Sequence, residues 1–276
     1  MNILLISRNE GKLKQTASKI MEKHPNAQVQ YIVHDFAQNY THFAAHLDSK
    51  LQDLSDQGRI GVLINAVGVT NAIPSLLHKT PMEDLEQMLR INNNGTLQMT
   101  MAVLPFMLQQ QAGAIITVSS GSCIHPTPML SIYSATKAFG HSLTRGLYDL
   151  FSCYKDGDID CLSLRPYYFI SNMYARKEAT FLVPFPDVIS TAALDVLGYE
   201  GDAAPYWAHY LGSLLSKWTP HDPAEKILLS MQRARARHIL RKKTTSVKDP
   251  HQQNISTSTN PEVNIISGKF ESAAWR

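Results

Sequence analysis

The stretch ITVSSGSCIHPTPMLSIYSATKAF, residues 116–139, joins an apolar run to an amphipathic segment and decides how the chain folds. Its first residues are β-branched and apolar, which is typical of a strand covered on both faces of a sheet. From residue 131 onward the pattern changes, because apolar residues recur at every fourth position from Phe139 to Phe151. This spacing places them on one face of a helix. The stretch therefore predicts a strand that ends near Ser120 and a helix over residues 131–154.

The same alternation of short apolar runs and longer amphipathic segments covers most of the chain. The runs that predict strands are NILLIS, QVQYIV, GVLINAV, GAIITVSS and DCLSLRP. Further helices are predicted over residues 10–23, 40–54, 81–111 with a break near NNNG, 186–197 and 223–241. Alternating strands and helices are typical of βαβ units around a parallel sheet. We therefore expect an α/β, Rossmann-like, doubly wound fold.

Length and composition fit one globular domain followed by a tail. The chain has 276 residues, of which 44% are hydrophobic and 18% are charged. We assign residues 1–243 to the domain and residues 244–276, which are polar and interrupted by proline, to a disordered tail. The three cysteines show no metal-ligand spacing and indicate free thiols in a reducing compartment. His125 and His209 also lack partners at ligand spacing, so no metal site is expected.

The positive charge is concentrated near the end of the predicted domain. The net charge is +3, and residues 233–243 (RARARHILRKK) hold six basic residues and no acid, which leaves 20 basic against 23 acidic residues elsewhere. Such a run is either a solvated helix face or a patch that binds phosphates or a membrane surface. The longest apolar patch, residues 206–215, is shorter than the ~20 residues that span a bilayer, although it could lie on one.

Tyr133 and Lys137 carry the clearest chemical signal. They are four residues apart at the start of the predicted helix, so both side chains project from one face. A phenol has a pKa near 10, and an ammonium at ~4 Å would lower that pKa by roughly one to three units. The tyrosine could then give a proton to a carbonyl oxygen at neutral pH.

Other polar residues are expected at the same edge of the sheet. Ser120 ends a predicted strand thirteen residues before Tyr133, INAVG (64–68) ends the preceding strand, and INNNG (91–95) lies in the helix between them. The carboxyl ends of the strands are where open α/β sheets bind their ligands. A serine, a tyrosine, a lysine and an asparagine are therefore predicted to meet there.

This combination of residues resembles the short-chain dehydrogenases/reductases. The segments SSGS...P.P...IYSATKAF and LISRN..KL are most similar to the branch that contains 17-beta-hydroxysteroid dehydrogenase type 12 and the very-long-chain 3-ketoacyl-CoA reductases. The likeness covers residues 1–243. It implies that Tyr133 is the general acid and that Lys137 lowers the pKa of this tyrosine and holds the nicotinamide ribose. Ser120 would donate a hydrogen bond to the substrate carbonyl. Asn94, or alternatively Asn92, would hold the water of a proton relay.

The resemblance also implies a dinucleotide site. Arg8 follows the first visible strand where NAD users carry an acid, and a guanidinium suits a 2'-phosphate, so NADP is the expected cofactor. In the family, the remaining contacts with the dinucleotide are made by residues that match Asp35 (adenine), Asn65, Ala66 and Gly68 (the NNAG element, with Ala66 in place of its second Asn), Pro166 and Ser171 (nicotinamide amide), together with Tyr133 and Lys137.

One family element has no counterpart in this sequence. The first strand of the family leads into a glycine-rich turn that holds the pyrophosphate. Between residues 1 and 57 the only glycine is Gly11, in a helix-start segment after what aligns with the second strand. The first strand, the turn and the first helix are therefore expected to be missing. Since that strand is central in the order 3-2-1-4-5-6, strands two and three should be separated from strand four.

Two functions follow as expectations. The first is an NADP-dependent reductase of a ketone on an apolar substrate, either a 3-ketoacyl-CoA or a steroid-like molecule, located at the endoplasmic reticulum membrane surface or in the cytoplasm. The second is a non-catalytic remnant or interaction module that no longer binds the dinucleotide. The family's oligomers further imply a homodimer built on the helices around Leu97 and Leu143, and no nucleic-acid partner is expected.

Overall fold

The computed structural model describes residues 2–38, 40–153, 158–171, 178–218 and 221–247. These residues form an α/β fold with strands β1 (Asn2–Ser7), β2 (Gln28–Val33), β3 (Val62–Asn65), β4 (Ala112–Val118), β5 (Asp158–Leu164) and β6 (Asp202–Ala203). The helices are α1 (Glu10–Lys23), α2 (Tyr40–Gln57), α3 (Met82–Leu89), α4 (Gly95–Gln110), α5 (Ser131–Cys153), α6 (Pro186–Asp195), α7 (Trp207–Trp218) and α8 (His221–Val247).

The chain divides into two compact units, Met1–Ala236 and Arg237–Arg276. The boundary lies inside α8, seven residues before the predicted domain end at residue 243. In the second unit the described residues are the end of α8. The part of the predicted tail from residue 248 onward lies outside the described residues.

The strands form two parallel sheets rather than one. β1 pairs with β2, and a second sheet has the order β3-β4-β5-β6. In the described part of the chain, β1 and β3 are therefore not paired with each other, which confirms the predicted separation. Val62 and Ile64 on β3 keep 51% and 57% of their surface exposed, although the strand is apolar.

Both sheets nevertheless border the same hydrophobic core. Leu47 of α2, Met107 of α4 and Ile115 of β4 are completely buried, and Leu4 and Ile6 of β1 pack against this cluster. Burying a leucine or methionine side chain contributes about 1.5–3 kcal/mol, so these contacts hold β1 in place without a strand partner on its second edge.

Local sequence signals explain several helix boundaries. The Asn9 side chain accepts a hydrogen bond from the Lys12 amide at 2.9 Å, which caps α1. Pro186 occupies the first turn of α6, where a missing amide hydrogen costs nothing. Gln111, which directly follows α4, has a φ of 52° in the left-handed region that terminates helices.

Two further sequence-based expectations concern thiols and membranes. Cys123, Cys153 and Cys161 are all free, as expected. Only Cys161 is buried, and burial raises the pKa of its thiol to about 12. Among the described helices, none is both long and apolar enough to cross a bilayer.

Candidate active site

Ser120 and Tyr133 meet at the carboxyl end of β4. Ser120 begins a single 3-10 turn after the strand, and its Oγ accepts a hydrogen bond from the Ser122 amide at 3.2 Å. The Tyr133 side chain, from the first turn of α5, is close enough to Ser120 for the serine hydroxyl to lower the pKa of the phenol. A serine hydroxyl carries one proton and two acceptor lone pairs. Ser120 can therefore accept from the Ser122 amide and still donate its own proton to the phenol oxygen or to a carbonyl. The structure thus brings the predicted serine and tyrosine together.

Lys137 lies one helical turn further along α5. Its Nζ is 5.9 Å from the centre of the Tyr133 ring and donates a hydrogen bond to the Val118 carbonyl at 2.8 Å. The Lys137 carbonyl accepts from Ser119 Oγ at 2.7 Å, which ties α5 to the end of β4. Burial lowers the pKa of the lysine to about 8, because the protein interior disfavours the ammonium.

The expected effect of Lys137 on the phenol is not what the structure shows. The pKa of Tyr133 is raised rather than lowered, because burial of the phenol disfavours its charged form. Ser120 favours the charged form, but its effect on the pKa is smaller than that of burial. The positive charge of Arg235, a residue of α8, opposes this rise. The sequence argument counted the neighbouring charge but left out burial. A phenol that stays protonated at neutral pH is a proton donor, which suits reduction of a carbonyl.

The asparagine beside the lysine is Asn92, not Asn94. Residues Arg90–Asn94 form a wider π-helical turn between α3 and α4. Asn92 is 4% exposed, and its side chain accepts from the Val69 amide at 2.8 Å and donates to the Val69 carbonyl and to Thr136 Oγ1, both at 2.9 Å. Asn94 is exposed. Of the two asparagines considered for the site, the structure therefore places Asn92 beside Lys137 and leaves Asn94 at the surface, because the π turn Arg90–Asn94 changes the register of the side chains relative to a regular helix.

Gly68 completes a small cradle with these side chains. A Cβ atom built on Gly68 would lie 3.2 Å from Lys137 Nζ and 3.6 Å from Asn92 Oδ1. A side chain at this position would therefore crowd the ammonium. Glycine keeps this space beside the ammonium and the amide open.

The other residues assigned to the cofactor lie at the ends of β1, β2, β3 and β5. Arg8 is exposed, Asp35 is half-buried and accepts from the Ala37 amide at 3.0 Å, and Asn65 donates to Thr100 Oγ1 at 3.0 Å. Ala66 is exposed. Pro166 is buried, and Ser171 is half-buried.

A second polar cluster, missed by the sequence argument, lies beside the site on β5, β6 and α5. Arg165 Nε donates to Asp202 Oδ1, and His141 Nδ1 lies 3.6 Å from the same oxygen and 2.9 Å from Ser163 Oγ. Burial lowers the pKa of His141, while the Asp202 carboxylate opposes that shift. Ser163 and Asp202 both contact the same nitrogen of His141, Nδ1, whereas in a Ser-His-Asp triad the serine and the aspartate contact opposite ring nitrogens. Ser163 is also fully buried, so this cluster is not such a triad. Charged residues at the end of an apolar strand were the only sequence signal for it.

Among the described residues, no group of three or more His, Cys, Asp or Glu side chains could hold a metal ion. The arrangement of Tyr133 and Ser120 supports proton donation from the phenol, with Ser120 as a second hydrogen-bond donor.

Replacing Lys137 by methionine is expected to stabilise the fold. The lowering of its pKa from 10.5 to about 8 corresponds to a cost of about 3 kcal/mol for the charged form at neutral pH. Methionine removes that cost but also the hydrogen bond to Val118, so the net gain should be about 1–2 kcal/mol at pH 7. Between pH 8 and 10.5 the unfolded wild-type chain binds more protons than the folded one, so wild-type stability rises and the gain should disappear. Urea unfolding at pH 7 and pH 10.5 tests both parts, and an equal gain at the two pH values would contradict the explanation.

The two asparagines should respond differently to substitution. Asn92→Ala leaves the Val69 amide and carbonyl without this partner and is expected to cost about 2 kcal/mol of unfolding free energy. Asn94→Ala, in the same turn but exposed, should change it by less than about 0.5 kcal/mol. Denaturant midpoints of the two variants give the comparison, and equal midpoints would show that the Asn92 contacts add nothing.

Known proteins resemble this chain along most of its length. Residues 1–180 match the family model of the short-chain dehydrogenases. The chain is 32% identical over 222 residues to a very-long-chain 3-oxoacyl-CoA reductase of Emericella nidulans, covering 78% of this chain and 62% of that protein. It is also 32% identical over 225 residues to the human inactive hydroxysteroid dehydrogenase-like protein 1, covering 80% of this chain and 65% of that protein. The chain thus spans less than two thirds of the length of these relatives.

Solved structures agree on the fold. A 7beta-hydroxysteroid dehydrogenase superposes with a TM-score of 0.62 at 20% identity, covering 74% of this chain and 76% of that one. A short-chain dehydrogenase of Sphingobium yanoikuyae in complex with NADPH gives 0.59 at 23% identity, covering 71% and 74%. With the family model matching well over half of the residues and the serine, tyrosine and lysine at one sheet edge, the chain belongs to the short-chain dehydrogenase family.

Proposed function

We propose that this protein is an NADP-dependent reductase that converts a ketone of an apolar substrate into an alcohol. The observation that carries the proposal is that the side chains of Tyr133 and Ser120 adjoin each other at the carboxyl end of β4, with the Lys137 ammonium one helical turn away. A 3-oxoacyl-CoA or a steroid-like ketone is the proposed substrate class. The name of the Emericella nidulans relative supports the first and the 7beta-hydroxysteroid dehydrogenase fold is compatible with the second.

The residues of the chain divide the work around the carbonyl oxygen. Ser120 and Tyr133 both donate hydrogen bonds to it, which orients the ketone and stabilises negative charge that develops on the oxygen. The Tyr133 proton then moves to that oxygen. Lys137, one turn away, stabilises the phenolate that remains. Asn92 holds the Val69 backbone and Thr136 in place beside Lys137.

The residues present fit one half of an NADPH molecule, which when bound would supply the hydride. The open cradle of Gly68, Asn92 and Lys137 suits the ribose and nicotinamide, and Ser171 would contact the amide. Arg8 would face the 2'-phosphate, which is why NADP is proposed over NAD. The glycine-rich turn that holds a pyrophosphate in this family has no counterpart in the sequence.

A second function is favoured by a separate observation. The chain could be a non-catalytic interaction module, since the human relative is named inactive and β1 and β3 are unpaired along one edge in the described sheets. Such a module would keep the fold around β4 and α5 without binding the dinucleotide.

A titration of the chain with NADPH separates the two functions. The reductase should bind NADPH in the micromolar range, about −8 kcal/mol, and then oxidise it when a 3-oxodecanoyl-CoA is added. Absence of binding at millimolar NADPH would refute the reductase and favour the module. NADH in a parallel titration checks the cofactor choice, and equal affinity would remove the role proposed for Arg8.

The pH dependence of reduction should report Lys137. Its ammonium is lost as the pH rises through a pKa of about 8, whereas the raised pKa of Tyr133 keeps the phenol protonated over this range. The rate should therefore be constant from about pH 6 to 7 and fall about tenfold per unit well above pH 8. Steady-state rates in overlapping buffers measure this profile. A rate that rises above pH 8 would contradict the assignment.

Partners and location are part of the same proposal. Trp207, Tyr210 and Leu211 on α7 are exposed, and the Trp207 ring packs edge-on against Phe181 at 4.8 Å, which supports contact with a membrane surface such as that of the endoplasmic reticulum. A cytoplasmic location is the alternative.

The exposed apolar residues of α4 support a homodimer. They are Leu97, Met101 and Leu108.

A further inference from the structure

Helix α8 reaches the catalytic edge through Gln232. This side chain is 1% exposed, and its Nε2 donates a hydrogen bond to the Tyr168 hydroxyl at 2.9 Å. Tyr168 lies two residues after Pro166, whose carbonyl accepts from the Gly121 amide at 3.0 Å. Gly121 is the neighbour of Ser120. A short chain of contacts therefore connects α8 to the serine and tyrosine of the site.

Gln232 also carries a buried acceptor without a protein partner. Its Oε1 is inaccessible to solvent and makes no hydrogen bond to any described residue. A buried acceptor without a donor is destabilising, and such groups are rare in folded proteins. A ligand that supplies an N–H or O–H group would satisfy this atom.

Arg235 lies on the same face of α8, three residues after Gln232, and is half-buried. Its positive charge lowers the pKa of Tyr133, against the larger effect of burial. A guanidinium has five N–H donors, so it can bind a substrate oxygen in addition to the contacts that it already makes within the protein. The start of the basic run is thus not simply a solvated helix face.

We infer that Gln232 and Arg235 form a polar wall of the substrate site and select substrates with a second oxygen close to the reacting ketone. The inference rests on the proposed reductase function and specifies its substrate. In a 3-oxoacyl thioester of pantetheine the thioester oxygen is separated from the ketone by one methylene, and an amide N–H follows a few bonds later. Arg235 donates to that oxygen, and Gln232 Oε1 accepts from that N–H. A steroid ketone or a simple alkyl ketone offers neither group.

Binding measurements with four ketones of equal chain length test this wall without any turnover. The probes are the N-acetylcysteamine thioester of 3-oxodecanoic acid, its methyl thioester, free 3-oxodecanoate and 2-decanone, each titrated calorimetrically into the wild type and variants in the presence of NADPH and in its absence. Arg235→Ala should weaken both thioesters about ten- to a hundredfold and leave 2-decanone within about twofold. Gln232→Leu should weaken the N-acetylcysteamine thioester more than the methyl thioester, which lacks the N–H. Lys226→Ala, an exposed position on the same helix, is the matched control and should change none of them.

The outcomes separate this inference from the proposed function. Equal weakening of 2-decanone and the thioesters would mean that Arg235 acts only on the fold, and unchanged thioester affinity would mean that it does not touch the substrate; either overturns the inference. Strong weakening of free 3-oxodecanoate alone would replace the thioester by a carboxylate as the group that is bound. Thioester binding that depends on Arg235, with no NADPH oxidation, would refute the reductase but not the wall. Should Arg235→Ala fail to fold, Arg235→Lys keeps the charge, loses the two-pronged geometry and should show a smaller loss for the same ligands.

Discussion

The variant Tyr133→Phe is expected to lower the turnover number for ketone reduction by about a hundred- to ten-thousandfold. Phenylalanine fills the same space in the first turn of α5 but cannot donate a proton, and Ser120 alone does not replace an acid at that position. The Michaelis constant should change little, because the apolar contacts of the ring remain. Initial rates of NADPH oxidation with a 3-oxoacyl-CoA measure both quantities.

Tyr148→Phe is the matched control on the same helix. The Tyr148 ring packs against Gly201 and lies 5.4 Å from the Arg145 guanidinium, fifteen residues along α5 from Tyr133. Its turnover number should stay within about twofold of the wild type. If Tyr133→Phe kept more than a tenth of the wild-type turnover, another group would have to donate the proton, and the assignment of the general acid would be wrong.

The sequence predicted several elements of the fold well, because each has a strong periodic pattern. β1, β2 and α1 begin and end at the predicted residues, and the start of α5 at Ser131 is also as predicted. β6 was missed because two residues, Asp202–Ala203, are too short to show an alternation. α7 was missed because residues 206–215 were considered only as an apolar patch, although their buried and exposed positions follow a helical period.

Within the site, the sequence predicted the residue types better than their surroundings. The spacing of Ser120, Tyr133 and Lys137 was enough to place them at one sheet edge. The choice between Asn92 and Asn94 depended on a π turn, whose register a sequence does not reveal. The pKa of Tyr133 depended on burial, and the approach of Gln232 to Tyr168, 64 residues away in sequence, depended on how α8 packs.

The variant Asp202→Ala is expected to destabilise the fold by about 2–3 kcal/mol. The Asp202 and Arg165 side chains are 20% and 14% exposed, so removing the carboxylate leaves a guanidinium that is largely withdrawn from water and has lost its partner. His141 would also lose the charge that holds its pKa up, and its pKa should fall further below 6.5. Because the variant's folded state then binds fewer protons than the wild-type folded state, the loss of stability should grow as the pH falls through the wild-type pKa of His141, which lies below 6.5.

Guanidinium unfolding of Asp202→Ala and Asp149→Ala at pH 7.5 and 5.5 checks this prediction. Asp149 pairs with Arg145 at 3.4 Å with side chains 63% and 39% exposed, so its removal should cost less than about 0.5 kcal/mol at either pH. The difference between the variants arises from burial, since both remove one carboxylate from one arginine. Equal costs would show that water still solvates Arg165. A cost for Asp202→Ala that does not increase at pH 5.5 would mean that His141 takes no part in the cluster that joins β5, β6 and α5 beside the candidate active site.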